Sequence, residues 1–334
     1  RFHGGDFKGI KNRIDNGYFN KLGVGGILIS PINLNQDSAY RRLEIPFKKF
    51  MPFDGTMPID PRAIDYRYGN SDDLKLLVES AHHDGIEFYI DYISSYTDEN
   101  HDYYINNPEW YNDNDSLLAN PFIRELDYSN PAVSKQISSD LVFFINEYNF
   151  DGFLTEENPH INELKEDIHH LRVAQDKAIL QIIQSDESCL TLNNFNNRNE
   201  FNSCYNIELY EAAREHFSGK KMNFIGLNNL IKKNLDYYQP VNLMITSTSM
   251  PNEARFISIA DRENSFMEES VPSYLSYEKL FMFMVMNYSL PGIPSIFYGD
   301  EFGQIGEEGI DSKKDIKFHK ALNQSEIHLK SRIS

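Results

Sequence analysis

An α/β barrel is the fold class this sequence predicts, and two observations carry it. Strand-like and helix-like stretches alternate from end to end, the pattern of a parallel sheet joined by helical crossovers. A short apolar run, Phe150 to Thr155, stops abruptly at the adjacent carboxylates Glu156 and Glu157 and the pair Pro159-His160. Acids delivered at the C-terminal end of a strand are how such barrels present chemistry. The length, 334 residues, suits one barrel or two smaller domains.

Each element follows from its local pattern. Residues 6–22 carry apolar side chains at Phe7, Ile10, Ile14, Tyr18 and Leu22, a helical period closed by Gly23. Residues 25–32 follow as a buried strand. Residues 33–69, rich in Pro, Asp and aromatics, are long for a plain connector and read as a face loop. Asn70 caps a second helix with Leu74, Leu77, Val78 and Ala81 on one face and Gly85 at its end. Residues 86–93 form the next strand. Residues 97–130, polar and aromatic and including Trp110, read as a reduced lid or subdomain inserted after strand three.

Pro131 then opens a helix to Tyr148, and the central strand follows. Residues 160–184 read as a helix charged on one face. Residues 188–194 and 204–209 read as short strands around an Asn cluster, 193–199. An amphipathic helix at 224–238, a strand at 241–248, a helix at 274–288 and a strand at 295–298 complete the series. These make seven strands where eight close a barrel. The first strand is therefore expected before Arg1, and the eighth helix, entered after Gly303, is expected to run past Ser334.

Composition narrows the function. A hydrophobic fraction of 40%, with 23 Phe and 20 Tyr, supports a sizeable core. The formal net charge of −18 argues against nucleic acid and anionic membrane surfaces as partners, since both would repel it. No apolar run is long enough to span a bilayer. Cys189 and Cys204 lack CxxC or metal-ligand spacing and read as small buried thiols on neighbouring strands, a disulfide between them being left open. His82-His83 and His169-His170 are adjacent on helices and share no face, so no metal site is expected there.

Several motifs, in order, resemble those of glycoside hydrolase family 13, the α-amylase family. Gly4-Gly5-Asp6-Phe7-Lys8-Gly9-Ile10, Leu22-Gly23-Val24 and Ile29-Ser30-Pro31-Ile32 are similar to its GGDLxGI, LGV and LSPI series. Tyr68-Gly69 with Asp72-Asp73-Leu74 and Ala81-His82 is similar to its second-helix entry. Leu290-Pro291-Gly292-Ile293-Pro294 and Tyr298-Gly299-Asp300-Glu301-Phe302-Gly303 are close to its LPGIP and YGDEIG. On strand four, Gly152, Phe153 and His160 stand at the spacing of Gly-Phe-Arg-x-Asp-x-x-x-His. The resemblance implies a (β/α)8 barrel acting on α-glucans, outside the cell, in the periplasm or at the cell surface.

The active-site positions depart from that pattern. Leu154 replaces the strand-four Arg, and Glu156 replaces the Asp nucleophile. On strand three Asp91 stands, with Ser95 and Tyr96 in place of the family's Asn and His. The strand-five acid aligns with Asn193. Counting back from Arg255, the third carboxylate aligns with Asn252 and its His with Pro251. The positions matching the triad are thus Glu156, Asn193 and Asn252, and those matching substrate binders are Asp91, Tyr96, His160 and Arg255. Read from the residues alone, Asp91 equally suits a structural hydrogen-bonder and His160 a helix-start histidine. With Ser95 for the usual Asn ligand, neither calcium nor another cofactor is expected.

Retaining glycoside hydrolysis needs a nucleophilic carboxylate and a protonated acid about 5 Å apart. An amide cannot give up and recover a proton near neutral pH. Glu is one methylene longer than Asp, displacing the carboxylate by roughly 1 Å, which can cost about 100-fold in rate. The expectation is a non-catalytic barrel kept for glycan binding or protein assembly. Protein assembly has precedent in the superfamily, where heavy chains of heteromeric amino-acid transporters use such a barrel as an ectodomain. The alternative is an active α-glucan hydrolase or transglycosylase with displaced groups, drawing on Glu156, Glu157, Glu253 or Asp91.

Overall fold

The structure is a computed structural model that describes residues 5–37, 55–112, 122–156, 178–184, 203–219, 224–237, 243–263, 271–317 and 322–334. The chain divides into two compact units, Arg1–Gln184 and Ser185–Ser334.

In the first unit the opening helix is split. Helix α1 (Phe7–Asp15) starts at Asp6, whose carboxylate accepts the Gly9 N–H at 2.7 Å. The chain then turns at Gly17, in the left-handed region at φ 69°, before the single turn α2 (Tyr18–Lys21). One continuous helix over 6–22 was the expectation. The 3.6-residue period continued through Gly17 because Tyr18 and Leu22 kept the phase, but glycine left the backbone free to turn. Strand β1 (Gly26–Ile29) follows. Helix α3 (Ser71–His83) carries a reciprocal capping box between Asn70 and Asp73, and it buries Leu74, Leu77, Val78 and Ala81 as its period predicts.

Strand β2 (Glu87–Asp91) leads to a small antiparallel ribbon, β3 (Tyr96–Asp98) against β4 (Ile123–Glu125), with the short helix α4 (Asp102–Asn106) between them. Helix α5 (Pro131–Tyr148) has Pro at its first turn and buries Val133, Ile137, Leu141, Phe144 and Ile145. Its buried Asp140 receives Arg62 Nε at 2.8 Å and the Tyr103 hydroxyl at 2.6 Å, which fastens residues 55–69 and α4 onto α5. Strand β5 is Gly152–Glu156.

Beside β5 lies β6 (Leu180–Gln184), paired from Gly152↔Leu180 to Glu156↔Gln184. This corrects the end of the helix expected over 160–184, whose residues 160–177 lie outside the described residues. The segment Ile179-Leu180-Gln181-Ile182-Ile183 is a short apolar, β-branched run, which periodicity cannot separate from a buried helix end. The strands of this unit pair in parallel in the order β1–β2–β5–β6. At their N-terminal ends, Asp151 Oδ2 accepts the Phe88 N–H at 2.7 Å and meets His82 Nε2 at 2.7 Å, joining α3, β2 and β5.

The second unit has parallel strands β7 (Ser203–Tyr205), β8 (Leu243–Ser247) and β9 (Ile293–Ser295), with Cys204 opposite Met244 and Ile245 opposite Ile293. Its helices are α6 (Ile207–Ser218), α7 (Phe224–Tyr237), α8 (Phe256–Arg262), α9 (Tyr274–Ser289) and α10 (Gln324–Ile333). The strand expected over 204–209 is shorter, because Asn206 caps α6 by accepting the Leu209 N–H. Helix α8 was not anticipated. Leu209, Ala213, Phe256, Leu280 and Phe283 form its buried core. Cys204 is disulfide-bonded, where the expectation leaned towards free thiols, and the second cysteine lies outside the described residues.

Candidate functional site

Strands β2, β5 and β6 bring their C-terminal ends together, because parallel neighbours in register finish side by side. Each ends on a polar residue: Asp91 on β2, Glu156 on β5 and Gln184 on β6. Asp91 is half-buried and stands opposite Leu154 in the ladder. Leu154 is buried and lies on the same side of β5 as Glu156, two residues away, so an apolar floor sits where the resemblance expects a guanidinium.

Glu156 is held by the loop after β2. Its Oε2 accepts two hydrogen bonds from Ser94, from the backbone N–H at 2.9 Å and from Oγ at 2.9 Å. Ser94 is itself completely buried, and its carbonyl accepts the Tyr128 hydroxyl. Burial first, and then the charge on Glu156, pushes the Tyr128 phenol far above its ordinary value, so it stays protonated and donates. Among the described residues no hydrogen bond or ion pair reaches Oε1 of Glu156. Tyr96 opens β3, half-buried and paired with Glu125. His160 and Asn193 lie outside the described residues.

Sequence reasoning missed Gln184 and Ser94. Gln184 was hidden by reading its strand as helix; the run of Ile and Leu before it was the available signal. Ser94 gave no sequence signal, since nothing in its neighbours announces that two of its donors meet one carboxylate oxygen.

In the second unit, Arg255 is fully buried and turned inward. Its Nε donates to the Ser312 carbonyl at 2.8 Å, and Nη1 donates to the Tyr298 carbonyl at 2.7 Å and to Asp300 Oδ1 at 3.1 Å. The guanidinium carbon lies 3.9 Å from the centroid of the Phe297 ring. Thr248 completes the group, donating to Asp300 Oδ2 at 2.7 Å. Asn252 is exposed in a turn with φ 68°, a left-handed conformation that Asn tolerates better than most residues, and its carbonyl accepts the Gly309 N–H. Glu253 is engaged by the Tyr210 hydroxyl at 2.8 Å and by Arg214.

Among the described residues no group of three or more His, Cys, Asp or Glu side chains is placed to hold a metal. Ser95, at the position of the expected calcium ligand, lends its carbonyl to the Leu126 N–H. No described helix is long and apolar enough to cross a membrane.

Comparison with known proteins places these features. The family model for the α-amylase catalytic domain matches residues 2–116. A 4-α-glucanotransferase from Thermotoga neapolitana is 25% identical over 90% of this chain and 68% of its own length. A cyclomaltodextrinase from Thermoanaerobacter pseudethanolicus is 22% identical over 94% of this chain and 53% of its own. Among solved structures, the α-amylase from Geobacillus thermoleovorans, crystallised with acarbose, aligns with a TM-score of 0.78 at 18% identity, covering 99% of this chain and 72% of that one. The fold is therefore that of the α-amylase (β/α) barrels, and the chain is similar in sequence to the α-amylase catalytic domain over residues 2–116.

Proposed function

We propose that this chain is a non-catalytic α-amylase-type barrel that binds α-glucan or a related neutral glycan at the ends of β2, β5 and β6. One observation carries the reading: β6, in register with β5, ends on Gln184 beside Glu156. If the acid belongs at the end of the strand next to the nucleophile, the amide of Gln184 stands there, in place of the Asn193 expected from the motif match. Neither side chain has a usable proton, and a missing general acid alone costs about 100- to 10,000-fold in rate. Glu156 then serves as a hydrogen-bond acceptor for sugar hydroxyls. The engagement of Glu253 by Arg214 weighs against its recruitment as a substitute carboxylate.

The test is incubation with maltooligosaccharides and an activated aryl α-glucoside, alongside calorimetry with the same sugars. No turnover is expected from the native chain or from Glu156→Gln, while sugar binding is expected and is weakened by that change. Turnover abolished by Glu156→Gln would overturn the proposal. A folded protein that neither turns over nor binds sugar would point instead to protein assembly.

A second reading, an active glucan hydrolase or transglycosylase, has two supports. Relatives matching nine-tenths of the chain or more are named as enzymes, a 4-α-glucanotransferase and a cyclomaltodextrinase. In the sequence, moreover, Asp186-Glu187 follow Gln184 after one residue, Ser185. Loss of turnover in Glu187→Gln would establish that reading. The disulfide at Cys204 supports a location outside the reducing cytoplasm, in keeping with an extracellular, periplasmic or cell-surface protein.

A further inference from the structure

We infer that Ser94 is the positioning residue for Glu156 and takes over the task left open by Leu154, setting Oε1 as a fixed acceptor for a hydroxyl of a neutral saccharide. The inference rests on the glycan-binding reading above and adds to it which residue organises the carboxylate and which class of sugar it selects.

The argument begins with the direction of each hydrogen bond. Tyr128 donates to the Ser94 carbonyl, and Ser94 donates twice to Glu156 Oε2, from its N–H and from its hydroxyl, each at 2.9 Å. With two donors on one oxygen, the carboxylate plane is fixed and the other oxygen is the one left to a ligand. Ser94 has no exposure to solvent, so neither donor is shared with water at its own position. Among the described residues Glu156 forms no salt bridge, so Ser94 supplies the hydrogen bonds that hold it.

The consequence for recognition is charge. A carboxylate held through Oε2 by Ser94 offers Oε1 as an acceptor to the incoming sugar. Hydroxyl donors satisfy it, whereas the carboxylates or phosphates of acidic sugars are repelled, and the chain's net charge of −18 acts in the same sense.

The experiment is calorimetry with maltotriose, and with an oligogalacturonate for comparison, on the native chain, Ser94→Ala, Ser94→Thr, Glu156→Gln and the Ser94→Ala/Glu156→Gln pair. Ser94→Ala is expected to weaken maltotriose binding about tenfold. Ser94→Thr, which keeps the hydroxyl, is expected to retain binding. Ser94→Ala is expected to add nothing once Glu156 is Gln, a non-additivity that a merely structural serine would not produce. Oligogalacturonate should bind the native chain more weakly than maltotriose and gain in Glu156→Gln.

Native-like binding by Ser94→Ala, or an equal loss in both backgrounds, would overturn the inference while leaving the glycan reading intact. If the native chain binds no maltotriose, the glycan reading fails, and a double-mutant cycle on thermal unfolding decides the remaining point. Coupled effects then support the grip of Ser94 on Glu156, and additive effects overturn it.

Discussion

Replacing Arg255 with Met tests whether this side chain pins the loop after β9 or is available to a ligand. In the structure its guanidinium donates to two carbonyls, of Ser312 and Tyr298, and to the Asp300 carboxylate, with the Phe297 ring against its face. Met fills much of the volume but donates nothing. The buried Ser312 carbonyl and the partly buried Tyr298 carbonyl lose this donor, and Asp300, almost fully buried, keeps only the Thr248 hydroxyl on its carboxylate among the described residues. Breaking a buried ion pair from one side typically costs about 3–5 kcal/mol, because the remaining charge is left without compensation. A loss of about 4 kcal/mol is therefore expected, a large part of the roughly 5–15 kcal/mol that holds a domain together.

The assay must report on the second unit. The single tryptophan, Trp110, belongs to the first, so urea unfolding should be followed by hydrogen exchange of the α8 amides rather than by tryptophan fluorescence. Arg255→Met combined with Asp300→Leu removes the stranded charge and should recover about 2 kcal/mol relative to the sum of the single changes. A cost below about 1 kcal/mol for Arg255→Met would refute the reasoning and return Arg255 to the candidates for substrate binding.

Two further perturbations follow from the first unit. His101 caps α4 by accepting the Tyr103 N–H on Nδ1 at 3.0 Å, and burial pushes its pKa down from 6.5 to about 4, against a smaller opposing pull from Asp60. Its depressed folded-state value means that the stability it contributes is complete above pH 6.5 and drains away as pH falls towards 4, by about 3 kcal/mol in all. His101→Asn, which keeps a capping acceptor, should flatten the fall in thermal midpoint between pH 6.5 and 4.5; an unchanged slope would show that other groups set it. Gly152→Ala would place a Cβ 2.0 Å from the Leu180 carbonyl oxygen, forcing β5 and β6 apart. A loss of about 2–3 kcal/mol in thermal or urea unfolding is expected, and a loss under 1 kcal/mol would mean the strands yield at little cost.

How much of this was legible beforehand depends on the range of the forces involved. Helix α3 could be placed by its capping residues and apolar period, and α5 by its opening proline, because those signals act within one or two turns of chain. The motif Tyr298-Gly299-Asp300 could be recognised, but its task could not. Asp300 meets Arg255 and Thr248 across 45 and 52 residues of sequence, so their meeting is a property of the fold. Strand β6 was lost for a different reason: a five-residue apolar strand has too few periods to distinguish itself from the end of a helix. That slip mattered, since it concealed the residue that stands beside Glu156. The alternation of strands and helices, by contrast, survived several boundary errors and was enough to give the architecture.

The turn at Asn252 constrains which side chains that corner can hold. Aspartate enters the left-handed backbone region almost as easily as asparagine does, and a single nucleotide separates their codons. An Asn252→Asp change could therefore place a charge at that exposed corner without moving the polypeptide around it. A bulkier or β-branched side chain would strain the same corner, so the turn accepts a charge and little else.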